Sequence, residues 1–405
     1  MIPKIFRPDS PGRLVKATGK NPSIDKAPVQ GHAFVPDPLP PKAVDSAMIG
    51  RLWEGLESAA TALARLDGLV QSLPNPDLLL RPFRLREAKL SSRIENTFAS
   101  VEEIALVDDD KPPRGTDVRE VWNYLDALDL GLESDLPLGS RLFRDLHKVL
   151  LTDVRGENKT PGEFRRVQVG IGDDTKSFAE AKFVPPPPGE ELDRCLRDFE
   201  IFLNPGTREA SLAPPRQKLP PLVEIAMGHY QFETIHPFGD GNGRLGRLLI
   251  AISLCRSRMI GRPLVYVSAH FDRYRQTYYD LLLRVSTEGD WESWIRFFCE
   301  AVSTQAQDGM KRAIRLSELR GKYIQSVSGK RVSALVPRIV DMLFVRPGFD
   351  ISSLARGLDI SVGATQKHVG RLLDAKIIRE VTGGNYARQF VATEIVKTVE
   401  QDDVD

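Results

Sequence analysis

The chain has 405 residues, of which 27% are charged and 41% hydrophobic, and a formal net charge of +1. This length predicts two or three domains, and the balanced charge indicates no particular partner. Its apolar runs are far shorter than the roughly 20 residues that span a bilayer, and its N-terminus lacks the pattern of a secretory signal. We therefore expect a soluble, cytoplasmic protein that does not contact a membrane. Cys195, Cys255 and Cys299 lie far apart without the spacing of a zinc site, and we expect them to be reduced core residues.

The first part of the chain is predicted to be an arm followed by helices. Residues 1–40 are rich in Pro, Gly, Lys and Asp and lack an apolar period, which predicts an extended, partly disordered arm. Apolar residues then recur at helical spacing, so residues 41–135 are predicted to form an N-terminal helical extension. Its predicted helices cover residues 46–73, 78–94 and 117–130.

Residues 136–320 are predicted to form a mainly α core. The exception is Thr160 to Gly172, where β-branched residues alternate with polar ones between glycines, which predicts a short hairpin or flap. The remaining predicted helices of this core cover residues 140–151, 190–203, 219–235, 245–258, 274–285 and 291–319. The predicted fold class is therefore mainly α.

The C-terminal region, residues 330–395, has the outline of a winged helix-turn-helix. Helical periods over 337–345, 351–358 and 363–375 precede a predicted hairpin from Ile377 with a Gly-Gly-Asn turn at 383–385. Residues 330–392 contain ten Lys or Arg and five Asp or Glu, an excess that permits contact with DNA. The residues that face DNA in this prediction are Gln366, Lys367, His368, Arg371, Arg379 and Arg388. Protein docking or dimerisation is the alternative use of such a module.

The segment from His236 to Arg247, His-Pro-Phe-Gly-Asp-Gly-Asn-Gly-Arg-Leu-Gly-Arg, concentrates the polar chemistry of the chain. Two glycines around Asn242, directly before a predicted helix, allow backbone N–H groups to turn inward beside the positive end of the helix dipole. This arrangement predicts a phosphate cradle. Arg244 and Arg247 are three residues apart, so both guanidinium groups are expected on one helical face, where they can bind neighbouring phosphates.

The other polar residues of this segment suit a transfer reaction on that phosphate. His236 has an ordinary pKa near neutrality and is a candidate general base, and Asp240 offers the oxygen ligand that Mg2+ prefers. No Gly-x-x-x-x-Gly-Lys-Ser/Thr occurs in the chain, which excludes a P-loop enzyme. An ordinary glycine turn with a core histidine would explain any one of these residues, but not all of them within twelve positions.

The segment matches the Fic family motif His-x-Phe-x-Asp/Glu-Gly-Asn-Gly-Arg-x-x-Arg at every fixed position, and the chain resembles that family. The resemblance implies a Fic catalytic core over residues 136–320 that transfers AMP from ATP-Mg2+ to a protein hydroxyl. It implies that His236 deprotonates the hydroxyl, that Asp240 positions Mg2+, and that the flap aligns the target protein. The residues it assigns to the nucleotide are Gly241, Asn242, Gly243, Arg244, Leu245, Gly246 and Arg247, with Arg244 on the β-phosphate and Arg247 on the γ-phosphate.

A second motif, Ser91-Ser-Arg-Ile-Glu-Asn96, resembles the inhibitory Ser/Thr-x-x-x-Glu-Gly/Asn motif of one class of Fic proteins. By that resemblance Glu95 pairs with Arg247, occupies the anchor of the γ-phosphate and places a like charge against it. Asn96 stands where glycine is more usual. Two further nucleotide contacts are predicted by position alone, at Gln231 and at Tyr274, where the family often has asparagine. Tyr278 and Tyr279 are equally consistent with core packing.

The resemblance leaves several alternatives open. It implies a protein substrate, with the chain itself as one candidate acceptor, and a homodimer. A nucleotide-sensing regulator that binds DNA, a Glu95-dependent enzyme that removes AMP, and an enzyme that transfers phosphate or UMP remain as alternatives.

Overall fold

The computed structural model describes residues 6–20, 27–73, 75–107, 115–172, 177–207, 211, 217–327, 335–382 and 388–401. The described chain is mainly helical, as predicted. The predicted helices end within a few residues of the observed ones, except that the helix predicted over 291–319 extends to Val327. The helices up to the motif are α1 (Ser46–Gln71), α2 (Asp77–Ile94), α3 (Val101–Ala105), α4 (Thr116–Glu133), α5 (Ser140–Leu150), α6 (Glu190–Leu203), α7 (Pro221–Ile235) and α8 (Asn242–Arg256). The helices after it are α9 (Ser268–Arg273), α10 (Arg275–Glu288), α11 (Trp291–Val327), α12 (Leu335–Val345), α13 (Ile351–Leu358), α14 (Val362–Asp374) and α15 (Thr393–Glu400).

The N-terminal segment is extended, but it is paired rather than isolated. Strands β1 (Gly12–Gly19) and β2 (Val29–Pro36) form an antiparallel hairpin in which Gly12 pairs with Pro36. Ala33, Phe34 and Val35 are buried. We expected an extended, partly disordered arm over residues 1–40, and the described part of it is instead ordered by backbone pairing and by these few apolar side chains.

The helices that carry the motif lie in the middle of the core. α7 is buried on nearly every side, and it packs against α8. α2 contacts α4, α8 and α9, so the end of α2 lies beside the first turns of α8. α1 runs along α11 on the outside, because its apolar side chains recur at helical spacing and Asp45 caps its first turn by accepting a bond from Met48 N at 2.9 Å.

The predicted flap is an extended loop rather than a regular hairpin. Within the described residues its β contact is one isolated antiparallel bridge between Ile171 and Phe183. The loop is held instead by buried polar side chains, Arg165 and Gln168, which bond to backbone carbonyls. Such bonds replace the strand ladder that the alternating pattern had predicted.

The end of the chain forms a small helical unit with a sheet, and we call the described residues from 335 onward the C-terminal module. It contains α12 to α15 and three antiparallel strands, β3 (Gly348–Asp350), β4 (Arg379–Glu380) and β5 (Gln389–Val391), in the order β3-β5-β4. The expected Gly-Gly-Asn turn lies outside the described residues. The winged helix-turn-helix assignment therefore stays a prediction. Helices α12 to α14 and strands β4 and β5 fall where it placed three helices and a hairpin, whereas β3 and α15 were not predicted.

Candidate active site

His236 lies at the end of α7 in the left-handed region, with φ 49° and ψ 62°. Its Nδ1 is 3.2 Å from the carbonyl oxygen of Glu233. Because a carbonyl oxygen only accepts, Nδ1 carries the proton and Nε2 keeps the lone pair. Burial, and then the positive charge of Arg165, lower the pKa of His236 to about 4. The imidazole is therefore neutral and able to accept a proton at neutral pH.

Arg165, from the loop predicted as a flap, holds the backbone of His236. Its Nε donates to the His236 carbonyl at 2.8 Å, and its backbone N–H donates to the Pro237 carbonyl at 2.9 Å. The guanidinium is buried, and burial lowers the pKa of Arg165 to about 10, so it stays charged at neutral pH. These bonds offset the strain of a left-handed residue that is not glycine.

Two side chains fasten the loop between His236 and α8. The Asn242 amide accepts from Phe238 N at 3.0 Å and donates to Phe238 O at 2.9 Å. His147, on α5, stacks on the Phe238 ring with the centroids 3.8 Å apart and its Nε2 lies 3.0 Å from the Asp240 carbonyl. Because Gly162 N donates to His147 Nδ1 at 2.9 Å, Nε2 carries the proton and donates to Asp240. The loop is thus clamped from both sides.

The positions on either side of Asn242 require glycine for different structural reasons. Gly241 adopts the left-handed conformation, with φ 72°, as predicted. Gly243 already belongs to α8, which begins three residues before the predicted start, and glycine is required there by close approach. A Cβ on Gly243 would lie 2.3 Å from Glu95 Oε1 and 2.9 Å from an Arg247 nitrogen. The first turn of α8, with its N–H groups available to an anion, therefore faces the Glu95 carboxylate.

Arg244 is buried and points to an acidic partner on α4. Its terminal nitrogen lies 3.1 Å from Glu120 Oε2. Glu120 is also buried, and it accepts from Arg155 Nε at 2.8 Å and from Thr97 Oγ1 at 2.5 Å. Arg244 is thus held by a network inside the protein rather than extended into solvent, which orients its guanidinium beside the first turn of α8.

Arg247 is almost completely buried and is bound by both ends of the Ser91 to Glu95 motif. Its Nε donates to Ser91 Oγ at 2.9 Å, and a terminal nitrogen donates to the Ser91 carbonyl at 2.9 Å. The same terminal nitrogen donates to Glu95 Oε1 at 2.8 Å. Burial raises the pKa of Glu95, but Arg247 more than reverses this effect, so the carboxyl group has a pKa below its usual value.

The end of α2 explains how Glu95 reaches this position. The helix ends at Ile94, Glu95 is its C-cap, and Asn96 has φ 62°. A left-handed residue after a helix is usually glycine and sometimes asparagine, which accounts for Asn96 in the place of the more usual glycine. Ser91 and Glu95 lie one helical turn apart and meet the same arginine.

Asp240 is exposed at the edge of the cradle, and its Oδ1 accepts from Gly241 N at 2.6 Å. Within the described residues, no group of three or more His, Cys, Asp or Glu side chains is arranged to hold a metal. A lone exposed carboxylate fits Mg2+ that arrives with a nucleotide, since phosphate and water oxygens then complete its coordination.

Gln231 and Tyr274, the two nucleotide contacts predicted outside the motif, have other partners than the residues described above. Gln231 is buried in α7, and its amide donates to the Asp37 carbonyl at 3.1 Å, so it supports the segment after β2. Tyr274 is 42% exposed and lies against His270, with ring centroids 4.7 Å apart. The pKa of Tyr279 is raised by burial and then by Glu95, and Glu95 also contributes to the raised pKa of Tyr278, so both tyrosines lie near that carboxylate. These observations favour Tyr279 over Tyr274 as the aromatic group near the site.

Sequence reasoning missed Glu233, the half-buried acid one turn before His236. Its Oε1 is buried without a hydrogen-bond partner in the described structure, and a Cβ on Gly246 would lie 2.3 Å from that oxygen. Burial raises the pKa of Glu233 to about 7, although Arg247 opposes the shift. The signal in the sequence is a carboxylate in the last turn of a helix that is mostly apolar.

Glu120 and His147 were missed for a similar reason. Each lies on the apolar stripe of its helix: Glu120 is one turn from Tyr124 on α4, and His147 is one turn from Phe143 on α5. A polar residue at a core position indicates a buried partner, but it does not say which one.

The fold and the site define a mainly α protein in which a histidine, a glycine turn and two buried arginines meet at one helix N-terminus. Residues 53–133 match the model of the Fic/DOC family N-terminal region, and residues 137–254 match the model of the Fic/DOC family. The chain therefore contains both of these Fic/DOC family regions, which together span residues 53–254 with a short gap.

Curated and structural relatives agree with this assignment. The chain is 38% identical to the protein adenylyltransferase Fic of Aedes aegypti and 37% identical to that of Culex quinquefasciatus, in each case over 139 residues. Each match covers 34% of this chain and only 23% of the relative's length. The crystal structure of a Fic family protein from Desulfovibrio desulfuricans G20 has a TM-score of 0.55 and 20% identity, and the match covers 87% of this chain and 98% of that one. This structural likeness shows the fold.

Proposed function

We propose that this protein is an adenylyltransferase that transfers AMP from ATP-Mg2+ to a Ser, Thr or Tyr hydroxyl of a protein. The observation that supports it most directly is the neutral His236 beside an anion cradle at the N-terminus of α8. The named relatives are adenylyltransferases, which favours AMP transfer over the transfer of phosphate or UMP.

The arrangement of residues suggests how AMP is transferred and where the proton and the leaving group go. The acceptor oxygen attacks the α-phosphorus, the bond from that phosphorus to the bridging oxygen breaks, and pyrophosphate leaves. The hydroxyl proton passes to His236 Nε2. The N–H groups of the first turn of α8, together with Arg244 and Arg247, stabilise the charge of the phosphates. Asp240, together with the phosphates, would hold Mg2+, which would supply additional positive charge for the leaving pyrophosphate.

We also propose that Glu95 inhibits this reaction. Its carboxylate lies against Gly243 and bonds to Arg247, the two places that the γ-phosphate needs. A nucleotide whose γ-phosphate cannot reach Arg247 binds in a posture that misaligns the α-phosphate, and misalignment is costly for a reaction that depends on positioning.

The test uses ATP labelled at the α-phosphate, Mg2+, and three proteins: wild type, Glu95→Gly, and Glu95→Gly with His236→Ala. Each is incubated alone and with cell lysate, and the products are read by label and by intact mass. We expect the single variant to acquire or transfer covalent AMP and the double variant to do neither.

Matched nucleotides separate the alternatives. Label from γ-labelled ATP on protein would indicate phosphate transfer, and preference for UTP would indicate UMP transfer. Loss of AMP from a modified target only when Glu95 is present would indicate removal of AMP. Absence of any covalent product from all three proteins would contradict the proposed activity.

DNA binding through the C-terminal module is a separate proposal, supported by exposed side chains on α14, Gln366, Lys367 and Arg371. The two arginines predicted for the wing are already paired: Arg379 with Glu102, and Arg388 with Glu380. DNA would have to compete with these carboxylates, so we expect binding that weakens steeply with salt. Electrophoretic mobility shift in rising salt tests this; no shift at low salt would contradict it.

A further inference from the structure

The helix that carries Glu95 is fastened to the catalytic core near its C-terminal end. Arg93 donates from Nε to Asp272 Oδ2, on α9, at 2.8 Å. Arg275, at the start of α10, bonds to the Ile94 carbonyl and lies 3.3 Å from Asn96 Oδ1. These contacts flank Glu95 on the core side.

The C-terminal module contacts the same stretch of chain from the other side. α12 and α15 pack on α2, and Lys89 Nζ of α2 lies 2.6 Å from Glu400 Oε1 of α15. The short helix α3, which begins six residues after Glu95, is held more closely. Arg379 of β4 bonds both carboxylate oxygens of Glu102, one of them at 2.6 Å.

Apolar packing joins α3 to the same sheet. Val101 forms a small buried cluster with Val391 of β5 and Val396 of α15. The backbone of β3 also touches α3, since a Cβ on Gly348 would lie 2.6 Å from the Ala105 carbonyl oxygen. α3 therefore contacts the C-terminal module through the Glu102–Arg379 ion pair, the Val101 cluster and the backbone approach of Gly348.

The contact that Glu95 makes with Arg247 tolerates little movement. Its hydrogen bond is 2.8 Å long, and a shift of Glu95 by about half an ångström would take it outside the range of about 2.7–3.2 Å in which such bonds form. Glu95 is the C-cap that follows the last residue of α2, and its side chain is 35% exposed, so local packing alone does not confine it. Its position depends on what holds α2 and α3.

We propose that the C-terminal module locks the inhibitory helix: α3 docked on β3, β5 and α15 keeps Glu95 on Arg247. Release of α3 lets the end of α2 move and frees the anion cradle. The ligand that would release this contact is an anionic partner that competes with Glu102 for Arg379. The catalytic consequence rests on the proposed AMP transfer, whereas the mechanical coupling does not.

A charge swap tests the lock. Arg379→Glu and Glu102→Arg each break the ion pair, and the double variant restores it with reversed polarity. We expect amide hydrogen exchange of residues 91–97 to rise about two- to fivefold in each single variant, the modest factor typical of an exposed pair, and to return toward wild type in the double variant. AMP incorporation should follow the same order, and it should not change when Glu95→Gly is already present.

Arg388→Glu is the matched control, because it breaks the comparable pair with Glu380 inside the module without touching α2 or α3. Unchanged exchange in both single variants, or an equal increase in Arg388→Glu, would overturn the lock. Increased exchange without AMP incorporation in any variant, Glu95→Gly included, would overturn the proposed function and leave the mechanical coupling intact.

Discussion

The pairing of Glu95 with Arg247 predicts a specific change in nucleotide affinity when the carboxylate is removed. In Glu95→Ala, Arg247 loses its bonded carboxylate but keeps its two bonds to Ser91 and the favourable charge of Glu233, so we expect the fold to persist. The γ-phosphate no longer competes with a charge-assisted hydrogen bond, which contributes about 1.5–3 kcal/mol. This corresponds to about a 10- to 150-fold gain in ATP affinity.

ADP provides the internal control, because it lacks the phosphate that is proposed to meet Arg247. Isothermal titration with ATP and ADP, in the presence of Mg2+ and with His236→Ala in every protein to prevent turnover, measures both affinities. We expect a large gain for ATP and a small one for ADP, with Glu95→Gln intermediate because its amide oxygen still accepts from Arg247. Equal gains for the two nucleotides would refute the reasoning that Glu95 occupies the γ-phosphate position.

Three further predictions concern the residues that support the site. Asn242→Ala leaves both Phe238 backbone groups without their partners, so we expect a loss of about 2–4 kcal/mol in denaturant unfolding, with a smaller loss in Asn242→Asp; equal stability of all three proteins would count against the clamp. His147 has its pKa lowered to about 4 by burial, so the unfolded chain binds a proton between about pH 6.5 and 4 that the folded chain does not. The free energy of unfolding should therefore decrease by about 3 kcal/mol as the pH falls from about 6.5 to 4, and His147→Asn should flatten the dependence of Tm on pH. An unchanged slope would contradict this. Glu233 has its pKa raised to about 7, so its cost to stability appears as pH rises from about 4.5 through 7, and Glu233→Gln should raise Tm more at pH 8 than at pH 5; the reverse order would show that the carboxylate stabilises the fold.

The helices and the motif could be predicted from the sequence because their signals are local. The spacing of apolar residues places α1, α2, α7 and α12 to α14 within a few residues of their observed bounds. The Fic motif identified the family, which the two matching family models confirm. The left-handed turn at Gly241 also follows from residue type alone, since glycine adopts that conformation at little cost.

The N-terminal hairpin shows where local signals were insufficient. Its strands contain few apolar residues among glycines and charged side chains, so composition favoured an extended, partly disordered arm. The pairing of Gly12 with Pro36 depends on backbone bonds to a partner strand and on the burial of Phe34 in the core. Neither can be read from the spacing of residues along one strand.

Only the tertiary structure decided which partners the two arginines take. The pattern predicted two guanidinium groups on one helical face, and spacing on a helix does determine which residues share a face. Their partners lie far away in sequence: Glu120 is 124 residues from Arg244, and Glu95 is 152 residues from Arg247. The Glu95 contact had been proposed from family resemblance, whereas Glu120, Arg165 and His147 emerged only when the helices packed. Local periodicity encodes which face of a helix is buried, but the choice of partner on that face depends on how several helices fill a common core.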